Sequence, residues 1–142
     1  MDDVNQEIHD AVLRGDLEAV ESLLKFGSNI NQTNQNGNTP LHIAVQNGQE
    51  GVIEYLINHG ADVEKATPDG QTPLHLAASL GLVKATKCLL SHGAEVNMDN
   101  EDKDGLCALY SAVRNGHLDV TKSLISRGAE VNKGNKDVRE LR

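Results

Sequence analysis

Aromatic side chains are nearly missing from this chain. Its 142 residues include one Phe, two Tyr and no Trp, 2% in all. A single rounded core of this length normally draws on more of them, since aromatics bring the largest apolar area per side chain. Their scarcity argues for a thin core of Leu, Ala and Val. Cysteine is as sparse: Cys88 and Cys107 are the only two, and their spacing matches no disulfide or zinc framework. Two reduced thiols, and an intracellular setting in cytoplasm or nucleus, are the expectation. Cations are outnumbered, with 13 Lys and Arg against 21 Asp and Glu, a net charge of −8. That deficit argues against nucleic acid as a partner, because phosphate-backbone binding draws on clustered cations. It favours solubility and a neutral or basic partner surface. Long apolar runs are also missing. The acidic start, Met1-Asp2-Asp3-Val4-Asn5, carries no signal peptide, and no membrane insertion is expected.

What is present is repetition. The stretch Asn36-Gly-Asn-Thr-Pro-Leu-His-Ile-Ala-Val45 returns 33 positions later as Asp69-Gly-Gln-Thr-Pro-Leu-His-Leu-Ala-Ala78. The same offset carries Gly48 to Gly81 and Gly60 to Gly93. A fixed period of this size signals stacked copies of one unit. Thr39 and Thr72 are suited to cap a first helix, with Pro40 and Pro73 at its first position, where a missing N–H is harmless. Leu41, Ala44 and Val45 then share one helical face, as do Leu74, Ala77 and Ala78. Gly48 and Gly81 end that helix. A second helix carries Val52, Ile53, Leu56 and Ile57 in one repeat and Val83, Ala85, Leu89 and Leu90 in the next. Gly60 and Gly93 end it. Asn36-Gly37 and Asp69-Gly70 are tight-turn dipeptides at the tip of the connecting loop.

The outer copies depart from this pattern. In the first, Ile8, Ala11, Gly15 and Gly27 fall where Leu41, Ala44, Gly48 and Gly60 fall later, but no Thr-Pro precedes them. A terminal repeat exposes one face to water, so an atypical sequence suits a cap there. Asp2 and Asp3 lie just ahead of this helix, where negative charge suits the dipole. The fourth copy spaces Gly93 to Gly128 by 35 residues and reads Cys107-Ala-Leu-Tyr110 in place of Thr-Pro-Leu-His. Without the Thr cap its helix start should be the softer one, by about 0.5–2 kcal/mol. Thr121 and Ser123 stand where the second repeat has Ile53 and Tyr55. Repeats are expected at about 1–33, 34–66, 67–101 and 102–134, within one domain over 1–132. Residues 133–142 form a tail, the start of a capping helix or the cut end of a longer array.

Thr39-Pro-Leu-His-Ile-Ala44 and Thr72-Pro-Leu-His-Leu-Ala77, in register with Gly60-Ala-Asp-Val63 and Gly93-Ala-Glu-Val96, closely resemble the ankyrin repeat family. The resemblance covers about residues 5–132 and rests on a period and motif that mark this family as such. It implies an all-α solenoid of stacked antiparallel helix pairs with projecting β-hairpin loops. It also implies that His42 and His75 are structural groups, bonding to loop backbone and to the Thr hydroxyl. Partners of such proteins usually meet the hairpin tips and the exposed side of the first helices. Carried over by position, that gives Leu13 and Arg14 in the first repeat and Gln35, Asn36, Asn38, Gln46 and Asn47 in the second. The third contributes Pro68, Asp69, Gln71, Ser79 and Leu80, and the fourth Lys103, Asp104, Leu106, Tyr110, Arg114 and Asn115. Leu80 and Leu106 are apolar in an otherwise polar row, the pattern of a binding centre. A hairpin Asn preceded by an acid and Val, with Leu eight residues upstream, resembles an asparaginyl hydroxylase target. Asn97 (after Leu89) and Asn132 (after Leu124) fit.

Other chemistry finds little footing. No phosphate loop, dinucleotide fingerprint, nucleophile elbow or zinc-protease motif occurs. His59 and His92 also recur at 33, each just before the glycine that ends a second helix, where an imidazole complements the dipole. A zinc site built on them would lack acidic or cysteine partners at ligand spacing. Asn100-Glu-Asp-Lys-Asp-Gly105 resembles the front of a calcium loop, but its twelfth position is Ser111 rather than a bidentate Glu. A solvated hairpin tip is the simpler reading. The expectation is a chain that is not an enzyme, needs no cofactor or metal, is monomeric on its own, and binds another protein as an adaptor or scaffold. The alternatives are a targeting or regulatory segment of a larger enzyme, channel or receptor, or a small stand-alone enzyme inhibitor.

Overall fold

The structure, a computed structural model, describes residues 4–96 and 107–128. Eight helices fall within them: α1 Val4–Leu13, α2 Leu17–Lys25, α3 Pro40–Gln46, α4 Glu50–Asn58, α5 Pro73–Leu80, α6 Val83–Ser91, α7 Ala108–Arg114 and α8 Leu118–Ser126. They belong to two compact units, Met1–Asp62 and Val63–Arg142. In the first unit α1 packs on α2 and α3 on α4, and the two pairs meet through α1 with α3 and α2 with α4. The second unit repeats this plan, with α5 on α6, α7 on α8, α5 against α7 and α6 against α8. Each unit is thus two stacked helix pairs, the all-α arrangement that the ankyrin resemblance implies.

The first helices are short and deeply embedded. Six of the seven residues of α3, Pro40 to Val45, are buried. Small side chains at one recurring position, Ala11 in α1, Ala44 in α3, Ala77 in α5 and Ala112 in α7, are fully buried. Alanine at these points lets α1 approach α3, and α5 approach α7, closely within each unit. The expected apolar set of α4, Val52, Ile53, Leu56 and Ile57, is buried throughout. In α6 the sequence reading needs amending. Val83 is half-exposed, while Thr86, which periodicity leaves out, is fully buried. Its hydroxyl donates to the Leu82 carbonyl at 2.7 Å, so burial leaves no polar group stranded.

The starts and stops follow the predicted chemistry. Thr39 Oγ1 accepts the His42 N–H at 3.3 Å, and His42 Nδ1 accepts the Thr39 N–H at 2.9 Å. Thr72 and His75 repeat this reciprocal box at 3.3 and 3.2 Å. At Cys107 no side-chain cap bond forms. Gly48 closes α3 with φ of 63°; the Gln49 N–H reaches back to the Ala44 carbonyl at 3.0 Å and the Gly48 N–H to Val45 at 3.0 Å. This closure needs a left-handed residue, which glycine supplies without a Cβ clash.

The loop tips are tight turns. Asn34 N–H donates to the Asn38 carbonyl and Thr67 N–H to Gln71, both at 2.9 Å. The side chains at these same two positions brace the turn: Asn34 Oδ1 accepts the Asn36 and Asn38 N–H groups, and Thr67 Oγ1 accepts that of Gln71. Among the described residues no strand ladder extends from these tips. One further position ties successive loops together. Asn31 Oδ1 accepts the Asp62 N–H at 2.8 Å, and Glu64, 33 residues after Asn31, accepts the Glu95 N–H at 3.1 Å.

Candidate partner-binding surface

The residues expected to meet a partner can be placed unit by unit. In the first unit Gln35 and Asn36 are exposed at the tip, and Asn38 is half-buried. Its carbonyl accepts from His9 Nε2 at 3.0 Å, so the tip is anchored to the preceding pair. A carbonyl can only accept, which puts the His9 proton on Nε2. Gln46 and Asn47 are exposed at the end of α3, beside Leu13, 60% exposed, and Arg14 at the matching end of α1. The Gln49 amide donates to the Leu13 carbonyl at 3.3 Å and joins these two ends.

In the second unit Pro68 and Asp69 are exposed, and Gln71 and Ser79 are half-buried. Leu80 is 47% exposed. The Asn115 amide donates to both the carbonyl and the hydroxyl of Ser79 at 3.3 Å, and His117 Nε2 donates to the same carbonyl at 2.9 Å. The ends of α5 and α7 are therefore held side by side, with Leu80 and Asn115 on that edge. Arg114 is exposed and donates to the Tyr110 hydroxyl at 3.3 Å. Tyr110 itself is only 5% exposed. Its ring belongs to the core, where the bulk that replaces histidine finds room, and Arg114 is the group of this pair that faces water. Lys103, Asp104 and Leu106 lie outside the described residues, as do Asn97, Asn132 and the loop compared with a calcium site.

The histidines divide by role. His42 and His75 are buried in capping boxes. His59 and His92 each donate from Nδ1 to the carbonyl four residues back, at 2.8 and 2.9 Å, in the last turn of a second helix. Among the described residues no group of three His, Cys, Asp or Glu side chains could hold a metal ion, and no helix is long and apolar enough to cross a membrane.

Three features escape sequence reasoning. His9 occupies the position of His42 one period earlier, a register that marks it as a structural histidine, but its bond to Asn38, 29 residues on, arises only when the pairs stack. The chain's single Phe, Phe26, caps α2 and is 89% exposed, although an aromatic in a chain with so few reads as core. Near that end of α2, an open groove of about 320 Å³ is lined by Leu24, Lys25, Ser28, Ile30, Tyr55 and His59, with the last two rings stacked at 3.9 Å.

Comparison with known proteins bears on most of the length. A family model described as ankyrin repeats, three copies, matches residues 8–100 and 65–135. No curated protein matches the chain. Repeat period, capping boxes, paired helices and this match converge: the chain belongs to the ankyrin repeat family, whose repeats are in general non-catalytic protein-interaction modules.

Proposed function

We propose that this chain is an adaptor or scaffold that grips a partner protein through its hairpin tips and the exposed side of its first helices. The observation that supports this reading is Leu80. At the matching positions of the other repeats stand Arg14, Asn47 and Asn115, all polar and exposed. Leu80 alone is aliphatic there, and it is 47% exposed beside Ser79 and Asn115. An apolar side chain in a polar rim is where binding energy concentrates. The net charge of −8 suits a neutral or basic partner surface.

Leu80→Arg tests it. The side chain is exposed, so stability should move by less than about 0.5 kcal/mol. Crosslinking and affinity capture with the wild-type chain identify bound proteins, and titration of the purified partner follows. Loss of a central apolar contact of about 2 kcal/mol weakens binding roughly 30-fold. Lys87→Glu, on the exposed side of α6, should leave affinity unchanged. Equal affinity of the wild-type and Leu80→Arg chains would rule out this surface.

A further inference from the structure

Two of the chain's three aromatic side chains, Phe26 and Tyr55, lie where the second helices of the first unit, α2 and α4, end. Phe26 follows α2 directly and is 89% exposed. A lone exposed apolar residue is ordinary. This one borders the open groove of about 320 Å³ whose apolar wall is Leu24, Ile30 and Tyr55. The wall is held in shape: His59 stacks on Tyr55 with ring centroids 3.9 Å apart, and its Nδ1 donates to the Tyr55 carbonyl at 2.8 Å. A site fixed before binding loses less side-chain freedom when a partner arrives.

The second unit shows the same place built differently. There His92 matches Phe26, Ser123 matches Tyr55 and Arg127 matches His59. Arg127 donates to Ser91 Oγ at 3.1 Å, so a polar bond lies where the first unit has its aromatic wall. Charge reverses as well. The helices α2 and α4 carry Glu18, Glu21, Glu50 and Glu54 against Lys25 alone. The helices α6 and α8 carry Lys84, Lys87 and Lys122 against Asp119 alone. Glu21, Glu54, Lys87 and Lys122 all occupy one repeat position, and all but the half-buried Glu21 are exposed.

We propose that this end of the first unit is a second docking surface, taking a protein segment that presents an apolar side chain flanked by arginine or lysine. The apolar side chain fills the groove against Leu24, Ile30 and Tyr55, and Phe26 covers it. The flanking cations face Glu21 and Glu54, and the open face of the Phe26 ring adds a cation–π contact. Lys25 also lines the groove. It follows Glu21 by four residues on one helical face, a spacing at which the two charges offset each other. Glu54 and Glu18 then leave the surface acidic, and the net charge of −8 steers a basic segment towards it. Nucleic acid and anionic membrane carry the wrong sign. This surface is separate from that of Leu80, which belongs to a first helix of the second unit.

The test titrates the full chain with pooled synthetic peptides, each carrying one Leu, Phe or Trp flanked by Arg and Lys. A matched pool carries Asp and Glu instead. The cationic pool should bind, and amide NMR shifts should cluster at residues 24–30 and 54–59. For the tightest peptide recovered, Phe26→Ser and, separately, Glu21→Lys/Glu54→Lys should each weaken affinity about tenfold or more. Phe26 is exposed, so Phe26→Ser should keep its urea midpoint, which separates lost binding from lost fold. Leu80→Arg should leave this affinity unchanged, so the two surfaces stand or fail separately. Binding by neither pool, preference for the acidic pool, or full affinity in either first-unit variant overturns the proposal. Phe26-dependent binding to phosphatidylserine vesicles in place of the peptides also overturns it, and assigns the patch to a lipid surface.

Discussion

Three first helices open on the same backbone bend with different chemistry. Thr39, Thr72 and Cys107 all hold extended N-cap dihedrals, with ψ of 166° in each. In α3 and α5 a Thr–His box closes the helix start on itself. In α7 no side-chain cap bond exists, yet the bend is unchanged. Burial accounts for this. Cys107, Leu109 and Tyr110 are 2%, 1% and 5% exposed, as deep as their counterparts in α5. Packing of the apolar face therefore sets the shape of the helix start. The box contributes stability to a geometry that exists without it. This division of labour lets a repeat lose its motif and keep its fold.

The largest effect that could break this comparison comes from the leucine each helix buries. Leu74 and Leu109 are 2% and 1% exposed at matching positions. Leu74→Ala and Leu109→Ala should each destabilise by about 2–5 kcal/mol in urea denaturation. A Leu109→Ala loss below about 1 kcal/mol, the size of an ordinary substitution, would mean that packing does not hold the uncapped start.

A glycine pair sharpens the comparison at intermediate scale. Gly81 and Gly116 end α5 and α7, both with φ of 75°. A Cβ at Gly81 would come within 2.9 Å of three ring atoms of His117, which bonds the Ser79 carbonyl, whereas a Cβ at Gly116 meets nothing within 4 Å. Gly116→Ala should lose only the left-handed backbone term, about 1–2 kcal/mol. Gly81→Ala should lose that and displace His117, and so be the more destabilising of the two. Equal losses would show that His117 yields freely and does not lock α7 beside α5.

What the sequence made legible was local chemistry. Thr39 with His42, Gly48 after α3 and Asn36-Gly37 at the tip act over three to five residues, and their register announces them. The second helices were legible in their apolar stripe but not in their starts: α4, α6 and α8 begin without a side-chain cap bond, and only Asp16 caps α2, through the Ala19 N–H. Contacts between pairs were the least legible. His9 with Asn38 and His117 with Ser79 join residues 29 and 38 positions apart. Only stacking brings them together. Thr86 was misplaced because its side chain is polar by type, while its hydroxyl is satisfied by the helix itself. For the partner surface, the family resemblance supplied the rows and periodicity only their register; of the members described, Gln35, Asn36, Gln46, Asn47, Asp69, Leu80, Arg114 and Asn115 are exposed. Tyr110 belongs to the core, as do His42 and His75 at the same position, so its register with them was the signal that should have kept it out of the rows.

The smallest effect is the most direct test of the capping argument. In α3 the Thr39 hydroxyl accepts the N–H of His42, and Tyr110 occupies the equivalent place after Cys107. The backbone at Cys107 already holds the N-cap conformation. Thr72→Ala should therefore remove about 0.5–2 kcal/mol, while Cys107→Ala should leave the cap contribution unchanged, there being none to lose. Cys107→Thr should add a single bond to the Tyr110 N–H without moving the helix. Its gain should be smaller than the Thr72→Ala loss, about 0.5 kcal/mol, because the returning imidazole of the full box is absent. The gain should appear as a higher urea midpoint with unchanged slope. A changed slope would mean that the uncapped start is already frayed in the native state. In that case the shared ψ of 166° would reflect the cap chemistry of its neighbours rather than the packing of Leu109.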